Sequence, residues 1–469
     1  MVRGPRVLRG ADSRRRHLAR QRRLAVPHDQ GGGRSAHERD GVTAPTGFLG
    51  LSHLGIVSSI GWASSIGPAT AVDFDPRLIT QLGAGQLPVH EPGLDELFVA
   101  ARTRMTFSTD PATLSACALV IVTRDVPTDS RNVSDLSAVS ALLDAAIPFL
   151  RNGVTLAVMS QIPPGFMRAL GKRIKTQRPD LEFGLYYWVE TLIFGRAVER
   201  YLKPERIILG CEEPGRALSA DLDAAVRHFA CPVFRMRYES AEMAKMAINL
   251  YLCAGVTYAN TMADLCEAVG ADWTEMVPAL RLDQRIGPAA YIRPSLGIAG
   301  GNLERDMITL RDLGQRRGLG VDFIDAMIAV NERRAQWVER KLAEHVFRDA
   351  DWPTVAVWGL AYKRNTRSTK NSVAVRILRE LLGRCEVRAW DPMVTAGDID
   401  LPVKIVGDRD EALAGADCLV VLTDWEEFAV PRAAALAAMR RRVVIDGVGI
   451  VDESRVDLEG ARIVAMGRG

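Results

Sequence analysis

The sequence predicts an α/β protein: two doubly wound parallel sheets joined by a central helical segment. Three observations carry that expectation. A glycine turn, Gly50-Leu51-Ser52-His53-Leu54-Gly55, separates a short apolar run from a helix-length segment and is followed by an acid. Apolar runs of strand length alternate with helix-length segments over residues 47–210 and again from residue 354. Between these halves, residues 240–277 contain no breaker except Gly255 and Gly270. Such alternation is the pattern of βαβ units, whose parallel strands are covered on both faces.

The chain's 469 residues leave room for two to four domains, at about 100–200 residues each. Its 48% hydrophobic and 25% charged residues exclude a disordered, collagen-like or disulfide-scaffold chain. It has no run of 18 or more apolar residues, so no membrane span is expected. Residues 1–45 hold 11 Arg, no Lys and four acids, a net +7 against +3 for the whole chain, so the remaining residues are slightly acidic and carry no nucleic-acid footprint. The seven cysteines (117, 211, 231, 253, 266, 385, 418) are scattered without metal-ligand spacing. Free thiols in a reducing cytoplasm and no metal site are expected. Residues 1–45 also lack apolar periodicity and a secretory h-region. The preferred reading is a start site placed too far upstream, with Val42 as the true start. An Arg count of 52 against 8 Lys suggests a GC-rich genome, where such misreading is easy. A disordered basic tail is the alternative.

In the first half, 47–51 reads as a buried strand, 54–66 as a helix and 69–73 as a second strand ending on Asp73. A dinucleotide pyrophosphate rests on the helix N-terminus in such a unit, and the acid bonds the ribose 2′-hydroxyl. Gly50, Ser52, His53, Leu54, Gly55 and Asp73 are therefore the candidate cofactor residues, with NAD preferred over NADP. Ser52 replaces the second glycine of the turn, and its Cβ crowds the approach of phosphate. Residues 119–123, 155–159 and 205–210 complete the strands of this half.

Over 240–277, Met243, Met246, Leu250 and Val256 recur near a 3.6 period, which predicts a long buried helix with a second helix behind it. Lys245 and Asn249, four apart, share a face. Residues 294–306 form a glycine-rich loop before another helical stretch. From 354 the α/β pattern returns, with strands at 354–360, 386–390, 418–423 and 443–446 and a helix at 372–383. Two Rossmann-like doubly wound domains follow as the expected architecture: 46–235 for the dinucleotide, 236–335 as a helical dimerisation segment that includes the glycine-rich loop, and 336–469.

From residue 47 onward the sequence resembles the nucleotide-sugar 6-dehydrogenases, the family of UDP-glucose, UDP-N-acetylmannosamine and GDP-mannose dehydrogenases. Pro88-Val-His-Glu91-Pro-Gly-Leu-Asp-Glu-Leu97 resembles its P-x-x-E-P-G-L-x-E-L. Thr109-Asp110, Asp135-Leu-Ser137, Lys203-Pro-Glu-Arg206, Lys245-x-x-x-Asn249, Asp283-x-Arg285-Ile-Gly-Pro288, Val357-x-Gly-Leu-Ala-Tyr-Lys363-x-Asn-Thr366, Trp390-Asp-Pro392, Leu422-Thr-Asp-Trp425 and Ile445-Asp-Gly447 match in order. The resemblance implies NAD, a nucleotide-sugar substrate and a homodimer in which Arg285 reaches a substrate. It also implies substrate contacts from Gly300, Lys363 and Lys370, and catalytic roles for Lys245, Asn249, Asp306 and Glu190. In the family a cysteine captures the C6 aldehyde, and the adduct is oxidised to a thioester that water opens.

Aligned on Gly300 and Asp306, this sequence places Asn302 where that cysteine belongs, and an amide is no nucleophile here. No cysteine lies between 267 and 384. Other site positions differ too. The family's N-P-E-F-L-x-E is Trp188-Val-Glu190-Thr-Leu-Ile-Phe194, its K-S-T-V-P is Met159-Ser-Gln161-Ile-Pro163, its D-D-x-R is Arg367-Ser-Thr-Lys370, and its I-D-G-R-N is Ile445-Asp-Gly-Val448-Gly449. The expectation is an NAD-dependent oxidoreductase on the C6 alcohol of a nucleotide sugar with altered chemistry. The alternative is a catalytically silent homologue that binds NAD and nucleotide sugar as a partner subunit. A third reading is an unrelated reaction on the same scaffold, such as reduction of a keto-sugar.

Overall fold

Eight strands make the first sheet: β1 (Thr46–Leu49), β2 (Ala69–Val72), β3 (Met105–Ser108), β4 (Leu119–Val122), β5 (Val154–Val158), β6 (Phe183–Trp188), β7 (Ile207–Cys211) and β8 (Val233–Arg237). This computed structural model describes residues 44–129, 131–299, 301–455 and 460–469. The expectations for residues 1–43, including the start at Val42, and for Gly300 lie outside the described residues. The strands run in the order β3-β2-β1-β4-β5-β6-β7-β8, parallel except for the β6–β7 pair. β1, β2, β4 and β5 are buried along their whole length. Their unbroken apolar runs follow from that two-sided cover. One core holds Phe48, Ile60, Trp62 and Leu209, and the core on the other face holds Leu49, Val122, Leu143 and Tyr187.

A second sheet repeats the plan with β9 (Thr354–Trp358), β10 (Glu386–Trp390), β11 (Lys404–Ile405), β12 (Cys418–Val421), β13 (Val443–Asp446) and β14 (Arg462–Ala465), in the order β11-β10-β9-β12-β13-β14. In both sheets the chain leaves the first strand toward one neighbour and returns to its other side. Each therefore has a switch point, β1/β4 and β9/β12, where ligands bind in such folds.

The helices used below are α1 (His53–Ser65), α2 (Phe166–Gln177), α3 (Tyr238–Val269), α4 (Trp273–Leu282), α5 (Asn302–Arg316), α6 (Asp322–Arg334) and α7 (Val373–Leu381). The 32 residues of α3 end at Gly270, whose φ of 74° makes it a left-handed cap. The long helix and the second one behind it thus stand as read, with one correction. Met246 and Val256 are buried as expected, but Met243 is exposed; the buried face also takes in Ala241, Lys245, Asn249, Cys253, Asn260 and Ala263. Pro278 lies inside α4, which gives up one backbone bond there. Most strands end one or two residues before the apolar run does, because the chain turns at Gly50, Asp73, Thr123 and Gly359 to build the switch points.

Candidate active site

The turn after β1 is held by backbone geometry. Gly50 has φ 93°, and a Cβ there would lie 2.8 Å from Arg124 Cβ. A Cβ on Gly55 would lie 2.0 Å from the Gly50 carbonyl oxygen, so only glycine lets α1 start this close to β1. Asp73 is buried, and its Oδ2 accepts from Leu51 N at 2.7 Å and pairs with Arg124 at 3.4 Å. Its Oδ1 accepts from Asp75 N at 3.1 Å. Asp391 repeats this in the second sheet, accepting from Leu360 N at 2.7 Å and Ala361 N at 3.1 Å. Part of what Asp73 does is therefore to brace the turn.

Ser52 sits at the N-cap of α1 without capping it. Its Oγ accepts from Asp125 N at 2.7 Å, and Asp125 Oδ2 accepts from Leu54 N at 3.1 Å. His53 Nε2 meets Glu91 Oε1 at 2.8 Å, and the His53 ring lies 4.3 Å from that of Phe194. Glu91 is 1% exposed and also accepts from Gly195 N at 2.9 Å and Ala197 N at 3.1 Å.

All five candidate catalytic residues gather at the crossing of α3 and α5. Lys245 is 7% exposed and donates from Nζ to the Glu190 carbonyl at 2.9 Å, with Glu190 Oε2 at 3.7 Å. One turn on, Asn249 Nδ2 donates to Asp306 Oδ2 at 2.5 Å. Arg305, also buried, donates from Nε to Asp306 Oδ1 at 3.0 Å and reaches Asn302 Oδ1 from Nη1 at 3.4 Å. Arg305 Nη2 is buried without a partner among the described residues. Asn302 is the first residue of α5, after Gly301 with φ 91°. The thiol on the next turn of α3, Cys253, lies against the Leu303 carbonyl at 3.9 Å. It is fully buried; burial first and the Asp306 charge second push its pKa up to about 12. The thiol form is therefore favoured over the thiolate at neutral pH.

The substrate-side candidates divide. Lys370 donates to Thr128 Oγ1 at 2.9 Å and packs over Gly301, beside Asn302. Lys363 donates to the Phe194 carbonyl at 2.8 Å, and burial lowers its pKa against the pull of Glu91 and Asp424. It lines a cavity of about 460 Å³ with Tyr291, Arg293, Leu296, Thr423 and Asp424, at the β9/β12 switch point. The loop forming the cavity's wall is pinned by two buried amides: Asn260 Oδ1 accepts from Ser295 N at 2.7 Å, and Asn331 of α6 accepts from Ile298 N at 2.6 Å. Arg285 stands apart, exposed and paired with Asp283 of its own turn at 2.6 Å. A larger cleft of about 1040 Å³ beside α2 and β6 touches none of the candidate residues.

Three profiles of one family match in chain order: the NAD-binding domain over residues 45–227, the central domain over 239–333 and the UDP-binding domain over 356–453. The chain belongs to the UDP-glucose/GDP-mannose dehydrogenase family. A UDP-glucose 6-dehydrogenase of Rhizobium meliloti is 28% identical over 433 residues, covering 90% of this chain and 99% of the relative. Another, from Haloferax volcanii, is 29% identical over 424 residues, covering 86% and 96%. The solved structure of a UDP-glucose dehydrogenase from Pyrobaculum islandicum superposes with a TM-score of 0.80 at 24% identity over 90% of this chain and 98% of that one, which shows a shared fold. Family and relatives together place the chain among the NAD-dependent nucleotide-sugar dehydrogenases, and NAD is the cofactor its first domain implies. The Gly50–Gly55 turn, the start of α1 and the acid after β2 fit that cofactor. One exposed side chain, Asp125, stands at the N-terminal end of α1.

Sequence reasoning missed Asp125, Arg305 and the clasp by Glu91. Glu91 did lie inside the P-x-x-E-P-G-L match. Asp125 follows β4 directly, the other side of the switch point, and that position was its only signal.

Proposed function

We propose that the protein oxidises the C6 alcohol of a nucleotide sugar and releases the aldehyde, or the acid formed slowly through the aldehyde hydrate. The observation that carries this is Asn302 at the start of α5, beside an otherwise complete cluster of Lys245, Glu190, Asn249 and Asp306, with the neighbouring thiol inert. When bound, NAD accepts the hydride that leaves C6. Lys245 holds the alcohol oxygen as it gains negative charge, and Asn249 with Asp306 holds the water that takes the hydroxyl proton. With no thiolate to capture it, the aldehyde is held only by hydrogen bonds from the Asn302 amide. Water then adds to the aldehyde, ordered by Glu190 or Asp306, and the hydrate becomes the acid only by giving up a second hydride from C6 to a second NAD. In this reading, residues 46–235 hold NAD, 336–469 with Lys363 and Lys370 hold the nucleotide, and 236–335 supply the catalytic face and a dimer contact.

The test is NADH formation by purified protein against a panel of UDP- and GDP-sugars, with the product's mass measured. One NADH per sugar and an aldehyde mass are expected; two NADH and rapid uronic acid would overturn the altered chemistry. A second reading, a silent homologue that binds NAD and nucleotide sugar, is favoured by Phe194, Met159 and Gln161, which depart from the family pattern. Nucleotide-sugar binding without NADH formation, in wild type and in Asn302→Cys, would select it.

A further inference from the structure

Leu54 lies in the first turn of α1, and its N–H donates to Asp125 Oδ2 across 71 residues of chain. Asp125 is placed for this by the residue that stands in for a loop glycine. Ser52 Oγ accepts from Asp125 N at 2.7 Å and itself donates to the Thr123 carbonyl at 3.3 Å. The first turn of α1 contains no acid of its own, and Asp125 brings a carboxylate to its N–H groups from another loop. The free N–H groups and positive end of a helix attract carboxylate and phosphate alike. We propose that the Asp125 carboxylate occupies the pyrophosphate position of the NAD site, and that the dinucleotide binds by displacing it. This rests on the reading of residues 46–235 as an NAD site.

A carboxylate and a pyrophosphate cannot share the Leu54 N–H, and their like charges repel at that distance. Displacement is open to Asp125, which is exposed and held by one side-chain hydrogen bond. Ser52 then has a role beyond crowding: its hydroxyl anchors the competing acid. The result is a dehydrogenase whose resting cofactor site is filled by its own side chain. Its affinity for any dinucleotide is lowered at the phosphates and not at the adenosine.

The experiment is calorimetric titration of the full-length protein with NAD, ADP-ribose and adenosine, in wild type, Asp125→Ala, Asp125→Asn and Ser52→Gly. ADP-ribose is expected to bind Asp125→Ala about five- to tenfold tighter than wild type, with adenosine unchanged. Asp125→Asn, which keeps the acceptor but not the charge, should gain less, and Ser52→Gly should gain by releasing the anchor. Equal or weaker ADP-ribose binding in a folded Asp125→Ala overturns the proposal; if that variant does not fold, Asp125→Asn decides in the same way. Equal tightening of adenosine, or no ADP-ribose binding by any protein, also overturns it. Tighter ADP-ribose binding with no NADH from any nucleotide sugar supports the displaced carboxylate and removes the dehydrogenase reading. Turnover with unchanged ADP-ribose affinity in Asp125→Ala does the reverse.

Discussion

A thiolate and an amide at the start of one helix differ by a covalent bond, and that bond divides the expected chemistry. Asn302 has Arg305 within 3.4 Å and begins α5, so a cysteine there would sit by a guanidinium and at a helix N-terminus. Both lower a thiol's pKa. Asn302→Cys is expected to form a covalent sugar adduct, seen by intact mass after incubation with NAD and a nucleotide sugar, while wild type forms none. Full turnover is not expected, because Phe194, Met159 and Gln161 also differ from the family pattern. An adduct on wild type would place the nucleophile elsewhere. Glu91 is the other telling residue. Burial pulls its pKa up, but the His53 hydrogen bond and the Gly195 and Ala197 N–H groups outweigh this and hold it below its ordinary value of 4.5. A depressed carboxyl contributes stability above its unfolded pKa, and loses it as pH falls toward the folded one. The urea midpoint of wild type should therefore drop between about pH 5 and pH 3 more steeply than that of Glu91→Gln. Glu91→Ala leaves two backbone donors without their acceptor and should cost about 2–3 kcal/mol in urea unfolding at neutral pH.

Gly255 tests whether α3 is positioned by its neighbours or by its own helix propensity. Gly→Ala inside a helix stabilises by about 1 kcal/mol when the methyl meets nothing. At Gly255 a Cβ would lie 2.5 Å from the Tyr291 carbonyl oxygen, backbone that cannot rotate away. Overpacking costs about 1–3 kcal/mol, so the sign should reverse: Gly255→Ala is expected to lower the melting temperature. It should also raise KM for nucleotide sugar, because Tyr291 lines the cavity at β9/β12. Gly83, with nothing within 4 Å of its Cβ, is the control; Gly83→Ala should be neutral or stabilising in the same melt. The contrast also marks what the sequence made legible. β13 has the limits read from its apolar run, since a strand buried on both faces leaves an unbroken signal; β10 has them too, from alternation, with Val387 and Ala389 buried and Glu386 exposed. The end of α3 at Gly270 was equally visible as a breaker. The pairing of Lys245 with Asn249 follows from helix geometry alone. The clasp of Glu91 on Ala197 spans 106 residues and the reach of Asp125 to Leu54 spans 71, and no local spacing encodes either. Met243 was misjudged because its place in the period puts it at the edge of the stripe, and the packing of neighbouring elements, not α3 itself, decides which edge is covered.

At the scale of the molecule, the two sheets are bridged beside Asn302: Lys370 reaches Thr128, and Asn371 reaches Asn132 and Glu304. One face of α3 is buried and another is bare. Tyr251, Tyr258 and Leu265 recur at seven-residue intervals and are 68%, 45% and 53% exposed, with Val269 at 76% one turn further on. A seven-residue spacing keeps side chains on one side of a helix, opposite here to the Lys245–Asn249–Cys253 face. Monomers seldom leave so continuous an apolar stripe in water. The occupant expected is the same stripe of a second copy, since a two-fold axis makes such a surface complementary to itself. Light scattering at about micromolar concentration should give a dimer; with 1.4 kcal/mol per tenfold in affinity, Tyr258→Glu with Leu265→Glu should shift it to monomer. Arg285, exposed and paired among the described residues with its own Asp283, lies just beyond α4, which packs against α3. If it completes the partner's substrate site, Arg285→Ala should leave the dimer intact and raise KM, while the monomeric double variant should lose the same contact without any change at residue 285. A wild-type monomer would remove both roles together, because Arg285 is exposed and its ion pair is with Asp283 of its own turn.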